Sequence, residues 1–213
     1  MKKIFFFLAI AASLISCDDD SAPTKNVSRV TNYPTVTING DARIVLTQGD
    51  TYNEEGAIAL AGDAELPVVT TGSVNTSTVG VYKVTYSAVN TDGFASSQTR
   101  VIIVLSSAPS AFNLEGTFYR SGNENNVVRI SDREYTADNA GGIAPADATA
   151  IANTLFVTFY NLDDQRLYIP PQIASPTGLL VESSDGDIIN NNNFTWVLSA
   201  SGYYGTALRN FTR

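Results

Sequence analysis

Gly80-Val81-Tyr82-Lys83-Val84-Thr85-Tyr86-Ser87-Ala88 is the stretch that decides the fold. Tyr82, Val84, Tyr86 and Ala88 fall on one face of an extended chain and Lys83, Thr85 and Ser87 on the other, the period-two alternation of a half-buried strand. The apolar set is expected to face a core and the polar set to face water. Around it lie Pro34 to Ile38, Arg43 to Thr47, Gly56 to Leu60, Leu66 to Thr70 and Ala95 to Leu105, all rich in β-branched or small residues. Asn39-Gly40, Gly49-Asp50, Gly62-Asp63, Gly72 and Asp92-Gly93 separate them, which is the turn spacing of a β-sandwich.

Gly80-x-Tyr82-x-Val84 also has the form of a tyrosine corner, with Val84 standing where antibody domains carry a cysteine. The run Gly49-Asp50-Thr51-Tyr52-Asn53-Glu54-Glu55-Gly56-Ala57, then Gly72-Ser73-Val74-Asn75-Thr76, then Gly80 through Asn90, then Asp92-Gly93-Phe94-Ala95, resembles the bacterial immunoglobulin-like domain that recurs in surface proteins. The resemblance covers about residues 33–105 and implies an immunoglobulin-like β-sandwich serving as a spacer or interaction module. Asn75 and Asn90 stand where that family usually has aspartates, which argues against a calcium site in these loops.

The N-terminus gives an address. Lys2 and Lys3 precede an apolar run from Ile4 to Ile15, the charged and apolar regions of a secretory signal. A membrane span needs roughly 20 apolar residues, so this run is too short for one. Leu14-Ile15-Ser16-Cys17 resembles the lipobox of bacterial lipoproteins, which implies residues 1–16 as a signal peptide and Cys17 as the lipid attachment site. One acyl chain holds a protein only marginally, so stable anchoring implies a multiply acylated cysteine. Asp18, Asp19 and Asp20 resemble the acidic export signal of Bacteroidetes surface lipoproteins, and 17–32 reads as an acidic flexible tether. The localisation expected is the outer membrane, facing the cell exterior.

Composition removes whole classes of function. Acidic residues number 21 against 13 basic ones, the formal net charge is −8, and no basic cluster exists to hold nucleic acid or an anionic membrane surface. The chain has no histidine and one cysteine, which the lipobox consumes. Ser-His-Asp and Cys-His nucleophiles, histidine-ligated zinc and disulfides are therefore excluded. No phosphate-cradling glycine loop occurs, and no metal or cofactor is expected.

Residues 106–111, Ser-Ser-Ala-Pro-Ser-Ala, read as a linker. Beyond it, residues 112–213 carry strand candidates at Leu114–Arg120, Val127–Ile130, Glu134–Ala137, Leu155–Asn161, Arg166–Ile169, Gly178–Glu182, Phe194–Ala200 and Tyr203–Phe211, with one helical turn at Pro145–Ala152. The fold class expected is all-β: the sandwich, then an antiparallel β-meander or barrel-like domain. The opening strand and the two closing strands are similar to C-terminal domains of Bacteroidetes lipoproteins associated with glycan uptake, a resemblance that implies no particular binding residue.

Sugar rings stack on flat aromatic faces, so Trp196, Tyr203 and Tyr204 are the candidate ligand-binding residues, with Tyr160 and Tyr168 across a hairpin. Phe194, Trp196 and Leu198 share one strand face, which equally suits a core. Ser184-Asp185-Gly186-Asp187 supplies oxygen donors but reads as a turn. Glu115, Glu134, Asp138, Asp163, Asp164 and Glu182 offer carboxylates, yet no spacing singles out a glycosidase pair. The expectation is a lipid-anchored, non-catalytic accessory that binds a polysaccharide. The alternative is a structural or protein-docking subunit of an outer-membrane complex or adhesin.

Overall fold

The computed structural model describes residues 31–144, 154–174, 177–200 and 207–213. The fold is all-β. In chain order the strands are β1 Pro34–Ile38, β2 Arg43–Thr47, β3 Ala57–Ala61, β4 Ala64–Glu65, β5 Val69–Thr71, β6 Gly80–Val89, β7 Ala95–Leu105, β8 Gly116–Arg120, β9 Asn123–Arg129, β10 Glu134–Ala137, β11 Val157–Asn161, β12 Leu167–Tyr168, β13 Gln172–Ala174, β14 Leu179–Asn190, β15 Asn193–Ala200 and β16 Leu208–Thr212.

The N-terminal strands make two facing sheets, β1-β3-β4 and β2-β7-β6-β5, in which β2 alone pairs parallel, against β7. Val36, Ala59, Val84, Tyr86, Ala88, Ile102 and Val104 fill the space between them. The alternation expected in β6 therefore holds on its inner face. The Tyr82 hydroxyl donates to the Thr78 carbonyl at 2.9 Å, completing the tyrosine corner. Glu54 explains the spacing of the Tyr-x-Glu-x-Gly motif: its carboxylate accepts from the Tyr52 and Tyr86 hydroxyls, from Arg100 and from the Gly56 amide. Arg100, fully buried, also donates through Nε to the Asp41 carbonyl at 3.0 Å. Asn90 accepts from the Asp92 and Phe94 amides and donates to the Asn32 carbonyl at 2.8 Å, a bond an aspartate could not give.

The remaining strands form one antiparallel sheet in the order β12-β11-β10-β9-β8-β16-β15-β14-β13. Its ends meet. Ile173 and Leu180 are register partners between β13 and β14, Arg166 bridges Asp187, the Ser183 amide donates to the Ile169 carbonyl and the Ile188 amide to the Gln165 carbonyl. Residues 165–174 thus run antiparallel along β14 as one strand broken at Pro170-Pro171, which have no N–H to give. The Gln172 side-chain amide takes over, accepting from the Thr158 amide at 2.8 Å and donating to the Thr158 carbonyl at 2.7 Å. The meander closes on itself, and closure leaves no long open edge.

Side chains fill the interior, as an eight-stranded barrel dictates. Trp196 packs against Phe159, Phe194 and Phe211 with ring centroids 5.3, 4.8 and 5.1 Å away. Ser184-Asp185-Gly186-Asp187 corrects the turn reading: it lies inside β14, with a register shift between Ser183 and Asp185, and the turn comes later at Asn191-Asn192. Gly186 is glycine because a Cβ there would sit 2.7 Å from the Leu167 carbonyl oxygen, at the seam. The helical turn read at 145–152 lies outside the described residues.

Residues 106–111 run between the sandwich and the barrel, tied down along the way. The Ser106 amide donates to the Leu162 carbonyl at 2.8 Å, Arg133 donates to the Ala108 carbonyl, and Asp164 accepts from Ser110 Oγ and the Ala111 amide. Buried Arg133 pairs with Asp164 at 3.0 Å.

Candidate functional site

The outer face of the β2-β7-β6-β5 sheet is turned toward the barrel. Val101 and Ile103 of β7 pack against Tyr160, Leu162 and Tyr168, with Val79, Val81 and Leu105 around them. Val101 to Val104 are buried on both strand faces, one against the sandwich core and one against the barrel. Arg166 reaches across this contact and donates to the Val79 carbonyl at 3.3 Å while its Nε holds Asp163 at 2.8 Å.

Beside the apolar contact the surfaces part into a groove of about 770 Å³, bounded by Val81, Lys83, Arg166, Tyr168, Glu182 and Asp187. Lys83 stands 3.9 Å from Glu182, one from each side of the groove. Lys83 also borders a second cleft of about 470 Å³, whose other walls include Arg43, Thr85, Thr99, Pro170 and Pro171. Arg43 and Lys83 both register with Val101, on β2 and β6, so the two cations flank one row of the sheet. The Thr85 and Thr99 hydroxyls bond to each other at 2.9 Å.

Tyr168 is the unusual member. It is only 8% exposed, and its hydroxyl has no hydrogen-bond partner among the described residues. Burial, with the Glu182 charge adding, pushes that phenol up to about 12, so it stays a donor at every physiological pH. A buried donor left unpaired costs about 1–3 kcal/mol. Its register partner Tyr160 spends its own hydroxyl on Glu134 at 3.3 Å.

The candidates read from sequence fare differently. Trp196 is 0% exposed and its indole N–H donates to the Ala140 carbonyl at 2.9 Å. A ring with no free face and no free N–H cannot serve as a platform, so the expectation of a ligand contact at Trp196 is corrected to a core role. Cys17, Asp18, Asp19, Asp20, Tyr203 and Tyr204 lie outside the described residues. Lys83, read as facing water, is exposed as expected and also borders the groove. Arg43 and the groove carboxylates Glu182 and Asp187 carry no distinguishing sequence pattern. The one available signal is the unbroken apolar run Val101-Ile102-Ile103-Val104, which marks a strand buried on both faces. Among the described residues no cluster of three or more His, Cys, Asp or Glu could hold a metal ion, and no helix is long and apolar enough to cross a membrane.

Residues 36–104 match the family described as bacterial surface protein, Ig-like domain. No curated protein matches the chain. Among solved structures, a lipoprotein of Bacteroides thetaiotaomicron aligns with 84% of this chain and 98% of its own at 21% identity and a TM-score of 0.37. A structure of Clostridium perfringens ZmpB, comprising an M60 catalytic domain with two CBM51 domains, aligns with 79% of this chain at 14% identity and a TM-score of 0.30, and the alignment spans 15% of that chain.

Proposed function

We propose that this bacterial surface immunoglobulin-like protein is a lipid-anchored, non-catalytic accessory that binds a polysaccharide in the groove between its sandwich and its barrel. The observation carrying this reading is the groove itself, about 770 Å³ with an unpartnered buried tyrosine hydroxyl on its wall and charged, hydroxyl-bearing side chains around it. Concave sites with a few convergent polar groups are where small ligands and sugar units are held. The sandwich contributes Lys83 and Val81 and the barrel contributes Tyr168 and Glu182, so the site requires both units.

Affinity electrophoresis of the detergent-solubilised chain through gels containing a panel of neutral and acidic polysaccharides tests this. Retardation by at least one glycan, reduced by Tyr168→Phe and unaffected by Trp196→Phe, is the expected result; migration independent of every glycan would overturn it.

A second reading, a protein-docking subunit, draws on Ile173 and Leu180, which are exposed register partners on β13 and β14. Purification from native membranes separates the readings, because a docking subunit brings a stoichiometric protein and shows no glycan dependence.

A further inference from the structure

We infer that the glycan held in this groove is acidic, with a carboxylate or sulfate group seated between Arg43 and Lys83 in the smaller cleft. The inference rests on the groove reading above and adds the ligand's chemical class.

The state of the cations motivates it. Arg100, Arg129, Arg133 and Arg166 each lie within ion-pair distance of a carboxylate of their own, Glu54, Asp132, Asp164 and Asp163. The Arg43 side chain makes no hydrogen bond or ion pair among the described residues, and Lys83 meets Glu182 at 3.9 Å, the outer limit of such a pair. Arg120 and Arg213 also lack a carboxylate but donate to backbone carbonyls, so Arg43 differs from them in making neither kind of contact, and it stands beside a loosely held lysine.

Place and surroundings make the pair a seat. Both cations border the cleft of about 470 Å³ with no acidic residue on its walls, while Thr85, Thr99 and Gln98 supply uncharged polar groups and Pro170 and Pro171 an apolar wall. Glu134 accepts the Tyr160 hydroxyl and does not line this cleft. An arginine matches the planar two-oxygen edge of a carboxylate or sulfate, and a lysine beside it adds a point charge. From Lys83 the path continues into the larger groove, where the next sugar unit would meet the free Tyr168 hydroxyl. One residue shared by both cavities makes a single extended site for a chain-like ligand.

The test compares three probes against the detergent-solubilised full chain: polygalacturonate for carboxylate, dextran sulfate for sulfate, and unmodified dextran as the neutral form of the second. An acidic protein repels polyanions in general, so saturable binding of either charged probe is informative. Arg43→Gln and Lys83→Gln are each expected to weaken that binding about tenfold, the effect of losing one charge-assisted hydrogen bond. Tyr168→Phe should weaken it by about fivefold, the effect of a neutral one. Arg129→Gln, whose cation is already paired elsewhere, should leave it unchanged. Which charged probe binds distinguishes carboxylate from sulfate. If dextran or another neutral glycan binds as tightly as the charged probes, or if the Arg43 and Lys83 variants bind normally, the acidic assignment is overturned while glycan binding stands. If no polysaccharide binds, both are overturned.

Discussion

Glu54 shows how one side chain can organise half of a small sandwich. Burial alone would raise its carboxyl, but the hydrogen bonds from Tyr52, Tyr86 and the Gly56 amide and the Arg100 charge outweigh that and hold it below the ordinary carboxylate range. Burial, with the hydrogen bond to the same carboxylate adding, holds the Tyr86 hydroxyl protonated far above neutrality. Because the folded value is depressed, the pairing contributes stability above the ordinary carboxylate pKa and loses it as pH falls through the folded value. Glu54→Gln leaves Arg100 buried with no counter-charge, a change that costs about 3–5 kcal/mol. The sandwich should therefore unfold at a lower temperature in this variant near neutrality, and the gap to the native protein should shrink on acidification to about pH 3, by circular dichroism. A constant gap across that range would show that the Glu54 charge contributes nothing. Trp196 makes the opposite point about residues that looked functional. Truncating it to alanine should destabilise the barrel by about 3–5 kcal/mol through the cavity left among Phe159, Phe194 and Phe211, yet leave glycan affinity of the folded protein unchanged. Denaturant titration and glycan binding on the same sample separate the two effects.

The seam of the barrel is where sequence reading and structure part at the level of elements. β1, β2, β6, β7 and β10 span the residues expected, since alternation and turn residues bound them on both sides. β13 was not legible, because Pro170-Pro171 reads as an end of strand and nothing local shows that Gln172 restores the missing bonds through its side chain. For a similar reason the sequence pattern ends β14 at Glu182: Asp-Gly within it is a turn signal, overridden here by a neighbouring strand that leaves no room for a Cβ. Tertiary proximity thus decided what local pattern could not. Gly186→Ala tests the seam directly, since its Cβ would strike the Leu167 carbonyl and force β12 away from β14. A loss of about 1–3 kcal/mol is expected, with the urea midpoint of the Trp196 fluorescence transition shifted downward. Gly178, also next to β14, has open space where a Cβ would go but a positive φ of 71°, so Gly178→Ala should cost only about 1 kcal/mol. Equal effects would mean that the close approach at the seam carries no energetic weight.

At the scale of the molecule, the groove exists because two β units are held face to face, and the chain between them is legible only in outline. Small residues and a proline read as a linker at 106–111, and the structure ties this stretch down through Asp164. Arg133, Asn161 and Ser110 converge on that carboxylate from distant parts of the sequence, so no local motif announces the anchor. Although burial raises the Asp164 carboxyl, its hydrogen bonds and the Arg133 pairing prevail and hold it below the ordinary range. Together with Leu162 packed against Val101 and Ile103, this predicts that the two units unfold cooperatively. Trp196 is the single tryptophan of the chain and lies in the barrel, so its fluorescence follows the barrel while far-ultraviolet circular dichroism follows both units. In the native protein the two signals should report one coincident transition. Leu162→Ala removes buried contact worth about 2–5 kcal/mol from the interface and should split them, the sandwich melting first while Trp196 stays buried. Limited proteolysis of the same variant should open cleavage within 106–111, and glycan affinity should fall because Lys83 and Tyr168 no longer keep their spacing. Coincident transitions and native affinity in Leu162→Ala would mean that the units are joined by the 106–111 strap alone and that the groove does not depend on their packing.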